Sequence, residues 1–271
     1  MDPLSVDHRP SIGVVTVATN IYLRYWKQMV ESANEYTDKD DLVTFYVFTD
    51  DPQEAEKIGE RLDRVKIKAF EIPAYRWPEA TLFRYSIFYS HFEELDTDII
   101  VHLDADMLML ANPWSRVRRN LLTHNVCLVS HPGFWRPPNL EKVRFYIRQP
   151  SRIIADIATF TRKSGLGDWE GNINSSAFTP KSRRKNYYCG GIWFGSKQAI
   201  ESLLKELANN VRIDYEKSIT AIWHDESHLN CWASLEDHGT ENPELCFDET
   251  YEQLEKLTPL ITAVRKQDMT R

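Results

Sequence analysis

The order of apolar and polar positions divides the first hundred residues into strand-like and helix-like stretches in regular alternation. SIGVVTVAT is an apolar and β-branched run, and from Ile12 to Thr19 it predicts a buried strand. In the NIYLRYWKQMVESANEY that follows, Leu23, Trp26, Val30 and Ala33 recur at helical spacing and predict an amphipathic helix. A second buried-type strand, Leu42 to Phe48, runs into Asp50-Asp51. A short helix around Gln53–Leu62 leads to a third strand, VKIKAFEI, and the two prolines of PAYRWPEA predict a loop. From about Thr81 to Leu95 another helix carries Leu82, Tyr85, Phe88, Phe92 and Leu95 on one face. Ile99-Ile100-Val101-His102-Leu103 is then a fourth strand, ending in two carboxylates, Asp104 and Asp106.

Strands alternating with helices imply an α/β fold with a mostly parallel sheet covered on both faces. Ligands bind such sheets at the carboxyl ends of the strands, which is where Asp104 and Asp106 fall. The second half is patterned differently. Asn125 to His131 predicts a strand running into the turn HPGFWRPP. From about Phe160 to Asn186 the chain turns polar and basic and predicts a long, mobile loop, with Arg183-Arg184-Lys185 solvated. YYCGGIWFGS predicts a strand interrupted by Gly190-Gly191, and a helix KQAIESLLKELANN and the segment AIWHDESHLNCWASL follow. Without repeats or a linker, the expectation is one domain over residues 1–271.

Composition changes this picture little. The 271 residues suffice for one large α/β domain, and a net charge of −7 speaks against a nucleic-acid partner. Aromatic residues make up 12% of the chain, a mild pointer to ring-shaped ligands. Cys127, Cys189, Cys231 and Cys246 have neither paired nor zinc-ligand spacing and predict reduced thiols. No signal-peptide pattern and no apolar run of membrane-spanning length is visible, so the expected location is cytoplasmic. Nothing in the pattern fixes an oligomeric state.

Four short motifs carry candidate chemistry. Asp104-Ala105-Asp106 places two carboxylates on one side of an extended chain, where they can share a hard cation with phosphate oxygens. A solvated acidic turn is the plainer alternative. A haloacid-dehalogenase-like phosphohydrolase with Asp104 as nucleophile is another, although here Met107 and Leu108 follow the pair and about a hundred residues precede it. WHDESHLN spaces His224 and His228 like a zinc protease, but puts Asp225 where such a motif has its glutamate. Its Asp225 and Glu226 would equally stabilise a helix N-terminus. Gly190-Gly191 marks a bulge or the close approach of a ligand. HPGFW places His131 beside two aromatic rings, a weak sugar platform.

Taken in order, these pieces resemble the family of the histo-blood-group A and B transferases and the α1,3-galactosyltransferase. The resemblance is carried by IGVVTVAT, SANEY, FRYSIF, LDADM, HPGFW, YYCGGIWFGS and WHDESHLN, over roughly residues 10–250. It implies a GT-A fold and retaining transfer of GalNAc or Gal from a UDP-sugar, in α1,3 linkage, to a galactoside with or without fucose. An inactive galactoside-binding module is the alternative within the same resemblance. About 10–125 would bind the nucleotide sugar, about 126–250 the acceptor, and 251–271 would form a tail. The family's animal members carry a membrane anchor and stem, which this sequence does not show. Many bacterial members replace the Asp-x-Asp by a neutral pair, so this chain resembles a soluble bacterial or phage form that has kept it. By resemblance, Val17, Thr19 and Tyr22 line the uracil and ribose pocket, and Asp104 and Asp106 hold Mn²⁺ or Mg²⁺. Arg84 reaches the donor sugar and Asp104. Gly190 and Gly191 leave room beside the sugar, so that UDP-GalNAc is the expected donor, with Cys189 a side chain that would refill that room. Asp225 holds sugar hydroxyls and Glu226 faces the anomeric carbon. His131, Trp223 and Glu226 hold the acceptor, and Arg265 closes over the diphosphate.

Overall fold

The computed structural model describes residues 9–163 and 165–264. In chain order the strands are β1 (Ile12–Val17), β2 (Val43–Thr49), β3 (Val65–Glu71), β4 (Ile99–Leu103), β5 (Met107–Met109), β6 (Val126–Ser130), β7 (Tyr188–Ser196), β8 (Gly239–Glu241) and β9 (Ile261–Ala263). The helices are α1 (Tyr22–Tyr36), α2 (Pro52–Gly59), α3 (Glu79–Leu82), α4 (Arg84–Ser90), α5 (Trp114–Asn120), α6 (Asn139–Arg148), α7 (Pro150–Lys163), α8 (Lys197–Glu216) and α9 (His224–Ala233).

Seven strands form one sheet in the order β3-β2-β1-β4-β7-β6-β8. β3, β2, β1 and β4 pair in parallel, as βαβ crossovers require. β7 runs antiparallel between β4 and β6, and β6 pairs in parallel with β8. This is the expected mostly parallel α/β sheet of the GT-A type, with strands of both halves in one ladder. The alternation along β4 explains why its run is apolar throughout. Val101 and Leu103 point into the core packed by Trp26, Met29 and Val30 of α1, while Ile100 enters the opposite core with Tyr85, Phe88 and Leu203. Buried on both faces, such a strand has no position for a solvated side chain.

Three elements differ from expectation. The helix expected from Thr81 to Leu95 is broken into α3, α4 and a 3₁₀ turn at Phe92–Glu94. The break at Phe83 leaves helical backbone (φ −94°, ψ 2°), and Leu82, Tyr85 and Phe88 still reach one core. The expected loop from Phe160 begins later, because α7 runs to Lys163. The remaining segment is irregular but is not a loose surface loop. Glu170 accepts from the backbone N–H groups of Asn172 and Ile222 at 2.7 Å each, and Asp214 accepts from Ser176 N–H at 2.6 Å. Its residues Trp169, Ser175, Ala177 and Thr179 are buried. Polar residues form a fixed structure here because buried carboxylates take up its backbone donors. A small β5–β9 ribbon then brings the end of the described chain back beside the Asp-x-Asp turn, with Val264 N–H donating to Asp106 O at 2.7 Å. Arg265 lies outside the described residues.

Candidate active site

At the carboxyl ends of β1 and β4 the sheet opens into two adjoining cavities. The first, about 310 Å³, is walled by Val17 at the end of β1, by Thr19 and Tyr22 just beyond it, by Tyr75 and Trp77, and by Asp104 and Asp106 after β4. The second, about 520 Å³, is walled by Gly190 and Gly191 of β7, Trp223, Asp225 and Glu226 at the start of α9, and His131 and Tyr251. Arg84, Asp104, Trp77 and Thr81 line both. The structure therefore brings together, around these two cavities, every described residue to which the resemblance gave a donor, metal, catalytic or acceptor role, whereas Cys189 and His228 lie outside them. Cys189 packs into the core beside Cys246, so it does not fill the space next to the glycines.

Arg84 is the hub. It is 5% exposed and donates from Nη1 to Asp104 Oδ1 at 2.8 Å, while its Nε lies 3.4 Å from Asp225 Oδ2. Nη1 is also 2.6 Å from His102 Nε2. His102 Nδ1 is 3.0 Å from the Val15 carbonyl, which can only accept, so Nδ1 carries the proton and Nε2 accepts from Arg84. Burial, followed by the Arg84 charge, lowers the His102 imidazole pKa and keeps it neutral. His102 was missed as a site residue. A polar ring inside an otherwise apolar strand was the signal available for it.

The three carboxyls are held in different states. Burial works to raise Asp104, but the Arg84 charge and the hydrogen bond from Arg84 outweigh it and leave the group below the usual carboxylate range. Burial pushes Asp225 up to about 7, with Arg84 opposing and Asp104 adding to the rise. Glu226 is likewise pushed up to about 7 by burial, against hydrogen bonds from Gly190 N–H and Tyr187. Strongly perturbed carboxyls gathered in one cleft mark a functional site more often than a structural one.

Glu226 is positioned by β7. Gly190 N–H donates to Glu226 Oε2 at 2.7 Å. Asn230, one helical turn on, donates to the carbonyls of Tyr188 (2.8 Å) and Glu226 (2.9 Å) and accepts from Tyr188 N–H at 2.8 Å. This clamp fixes α9 to the strand, and it too was missed in the sequence. Both acids of the pair fall in the first turn of α9, as the helix-terminus reading has it, but Glu226 turns its Oε2 to Gly190 N–H of β7. The zinc-protease resemblance of His224 and His228 fails on geometry. His224 has φ +47°, outside helical backbone, and packs against Trp77, whereas His228 is buried near Asp214.

The glycines permit close approach, but not in the way first expected. A Cβ at position 191 would stand 2.8 Å from Asp104 Oδ2 and 2.9 Å from Met107 Cε. At position 190 it would stand 3.0 Å from Glu226 Cβ and 3.2 Å from Asp225 Oδ2. The space that Gly191 leaves is therefore taken up by the Asp104 carboxylate, and is not open room for a donor substituent.

His131 Nδ1 accepts from Gly133 N–H at 3.1 Å, so its proton sits on Nε2. Burial pushes its pKa down to about 4, with Asp248 opposing, and it is a neutral donor at physiological pH. Among the described residues no three His, Cys, Asp or Glu side chains converge as a ready metal cluster. Asp104 and Asp106 line one cavity wall and are hard oxygen donors. A divalent cation there fits as one that completes its shell with water and phosphate oxygens, the usual habit of Mg²⁺ and Mn²⁺ at phosphate sites.

A mostly parallel sheet with an Arg-anchored Asp-x-Asp at its opening, facing a second cavity of carboxylates, is the architecture of a GT-A glycosyltransferase. The model of glycosyltransferase family 6 matches residues 6–159 and 161–270, and the chain belongs to that family. It is 27% identical over 225 residues to histo-blood group ABO system transferase 1 of Rattus norvegicus, covering 81% of this chain. It is 26% identical over 227 residues to globoside alpha-1,3-N-acetylgalactosaminyltransferase 1 of Gallus gallus, again over 81% of this chain. The matched region spans 56% of the length of each of these relatives.

Proposed function

We propose that the protein transfers GalNAc, or Gal, from a UDP-sugar to the 3-hydroxyl of a galactoside, with retention at the anomeric carbon. The observation that carries this reading is the junction of two cavities at Arg84 and Asp104, with Glu226 held on the far wall by Gly190 N–H. In this reading the smaller cavity takes the nucleoside through Val17, Thr19 and Tyr22, and the larger takes both sugars. The division into a donor half up to about residue 125 and an acceptor half beyond it is part of the proposal. GalNAc is put first because a relative's name specifies an N-acetylgalactosaminyltransferase.

The residues then have complementary tasks. Arg84 holds Asp104 ionised and turned toward the diphosphate. Asp104 and Asp106 would hold Mn²⁺ or Mg²⁺, which when bound supplies positive charge against the leaving diphosphate. Asp225 hydrogen-bonds the donor-sugar hydroxyls. Glu226, in its ionised form, stabilises the positive charge that develops at the anomeric carbon, as a nucleophile or as a fixed counter-charge. His131 Nε2–H donates to an acceptor hydroxyl, Trp223 offers a face to the galactose ring, and the acceptor proton leaves with the diphosphate.

The test is incubation with UDP-GalNAc or UDP-Gal, Mn²⁺ and lactose or a fucosylated galactoside, followed by mass spectrometry. The expected product is the acceptor plus one hexose or N-acetylhexosamine. Phosphate release from generic phosphate esters, without any need for UDP-sugar, would instead support the phosphohydrolase reading of Asp104. Galactoside binding without UDP-sugar consumption would support an inactive binding module.

A further inference from the structure

A groove of about 780 Å³ lies outside the two cavities, between α6 and the segment over residues 247–257. It is larger than the cavity of about 520 Å³ that takes both sugars in the function proposed above. Trp135, Phe247 and Tyr251 are part-exposed along it, and the buried ring of Phe145 also lines it.

The groove meets the acceptor end of the site. Tyr251 lines the groove and the larger cavity alike. Its hydroxyl and the His131 ring close on the same point: a Cβ at Gly133 would lie 3.2 Å from Tyr251 Oη and 3.3 Å from His131 Nδ1. Arg148, Gln149, Glu252 and Gln253 line the groove and also a hollow of about 510 Å³ that has Arg152 and Tyr251 on its wall. Arg152 in turn lines the larger cavity. Gln253 is 8% exposed and donates from Nε2 to the Pro132 carbonyl at 2.8 Å, which ties this wall of the groove to the turn that carries His131.

The lining indicates what leaves the acceptor galactose by this route. A pyranose has an apolar C–H face that packs on an aromatic ring, and an edge of hydroxyls that pair with planar polar groups. The groove offers both, its rings standing beside Gln149, Asn242 and Glu252. The bases on its wall are engaged by acids of the same wall: Arg144 (2.8 Å) and Lys256 by Glu141, and Arg148 by Glu255 at 3.7 Å. With further acids beside them, an anionic ligand finds no surplus positive charge. A lipid chain would strip water from these polar groups without replacing its hydrogen bonds.

We infer that the groove between α6 and residues 247–257 binds the uncharged sugars that follow the acceptor galactose, so that the preferred acceptor is an oligosaccharide. That the ligand is an acceptor rests on the function proposed above; the groove's affinity for a neutral oligosaccharide does not.

Lactose and a neutral tetrasaccharide ending in the same β-galactose test this, by titration calorimetry with UDP present and by transfer kinetics. The tetrasaccharide should bind more tightly and show a higher kcat/KM, each by about tenfold or more. Phe247→Ala, and separately Arg148→Ala with Glu252→Ala, should each bring the tetrasaccharide to within about threefold of lactose, while transfer to lactose stays within about twofold of the parent. None of these three side chains lines the larger cavity. Arg148 and Glu252 are exposed, so the double variant should keep the circular dichroism of the parent even if Phe247→Ala does not. The inference is overturned if the tetrasaccharide binds and reacts no better than lactose, or if its advantage survives in the double variant. It is equally overturned if a tetrasaccharide bearing a carboxylate, or a galactose on a lipid or a peptide, gains where the neutral tetrasaccharide does not, because the groove then takes another class of ligand. Groove-dependent binding of the tetrasaccharide without transfer to any galactoside would leave the groove in place and count against the proposed function. Equal transfer to both acceptors would do the reverse.

Discussion

Replacing Glu226 with glutamine distinguishes a group that acts on the reacting sugar from one that merely completes a helix. The amide side chain keeps an oxygen to accept from Gly190 N–H (2.7 Å in the parent) and occupies nearly the same volume. What it loses is the ionised state. Turnover should fall by about 10²–10³, the usual cost of removing one preorganised electrostatic partner of a transition state, while UDP affinity stays within about threefold. Stability should move the other way. A carboxyl raised from 4.5 to about 7 binds its proton more tightly in the folded state. The native protein then holds more protons than the unfolded chain between those values, so stability falls as pH rises through that window. The full displacement corresponds to about 3 kcal/mol, which the partial exposure of Glu226 reduces to about 1 kcal/mol. Glutamine should therefore raise the melting temperature at pH 8 by about 2–4 °C. Steady-state kinetics with both donors, UDP titration calorimetry and thermal melts at pH 5 and 8 make the check. A variant that loses stability and UDP binding together, or keeps full turnover, would refute this account of Glu226.

Further outcomes follow from the same geometry. Chelation of divalent cations, or Asp106→Asn, should abolish transfer, and full activity in excess chelator would remove the metal from the proposal. Gly191→Ala should depress turnover with UDP-GalNAc and UDP-Gal alike, because its Cβ meets Asp104 Oδ2 at 2.8 Å; a clean switch toward UDP-Gal in competition kinetics would restore the donor-room reading. The turnover–pH profile should rise on its acid side with a midpoint near 7, as Glu226 ionises beside Asp225, and that limb should move in Glu226→Gln, where Asp225 alone still titrates; an unmoved limb would take Glu226 out of it. Asn230→Ala should cost about 1–3 kcal/mol in urea unfolding by leaving Tyr188 N–H and carbonyl unpaired.

β1, β2 and β4 were readable because their side chains are buried on both faces and their runs are largely apolar, whereas the edge strand β3 was readable from its alternation of apolar residues with exposed Lys66 and Lys68. The Asp-x-Asp turn was readable for the same reason: the run that precedes it, Ile99–Leu103, could only end at a strand terminus. The segment after Lys163 was misread as mobile because its order comes from distant carboxylates, Glu170 and Asp214, whose partners are invisible in a local window. Helices α6 and α7 escaped notice because their apolar residues face outward. The roles of Gly190 and Gly191 were only half legible: the need for close approach showed, but not that the approaching atoms belong to Asp104, Asp225 and Glu226.

β7 has a consequence for how the chain is made. It enters the middle of the sheet antiparallel to β4, about ninety residues earlier in the chain, and its Gly191 carbonyl accepts from Asp104 N–H at 2.9 Å. Until Ser196 has left the ribosome, the nascent first half carries β4 as a bare edge, apolar but for His102, the kind of edge that recruits other strands. The nucleotide-side residues are synthesised early, but the wall that holds Glu226 arrives with the centre strand and α9. Synthesis stalled between Asp106 and Tyr188 would therefore leave an aggregation-prone half-sheet rather than a weakly active enzyme.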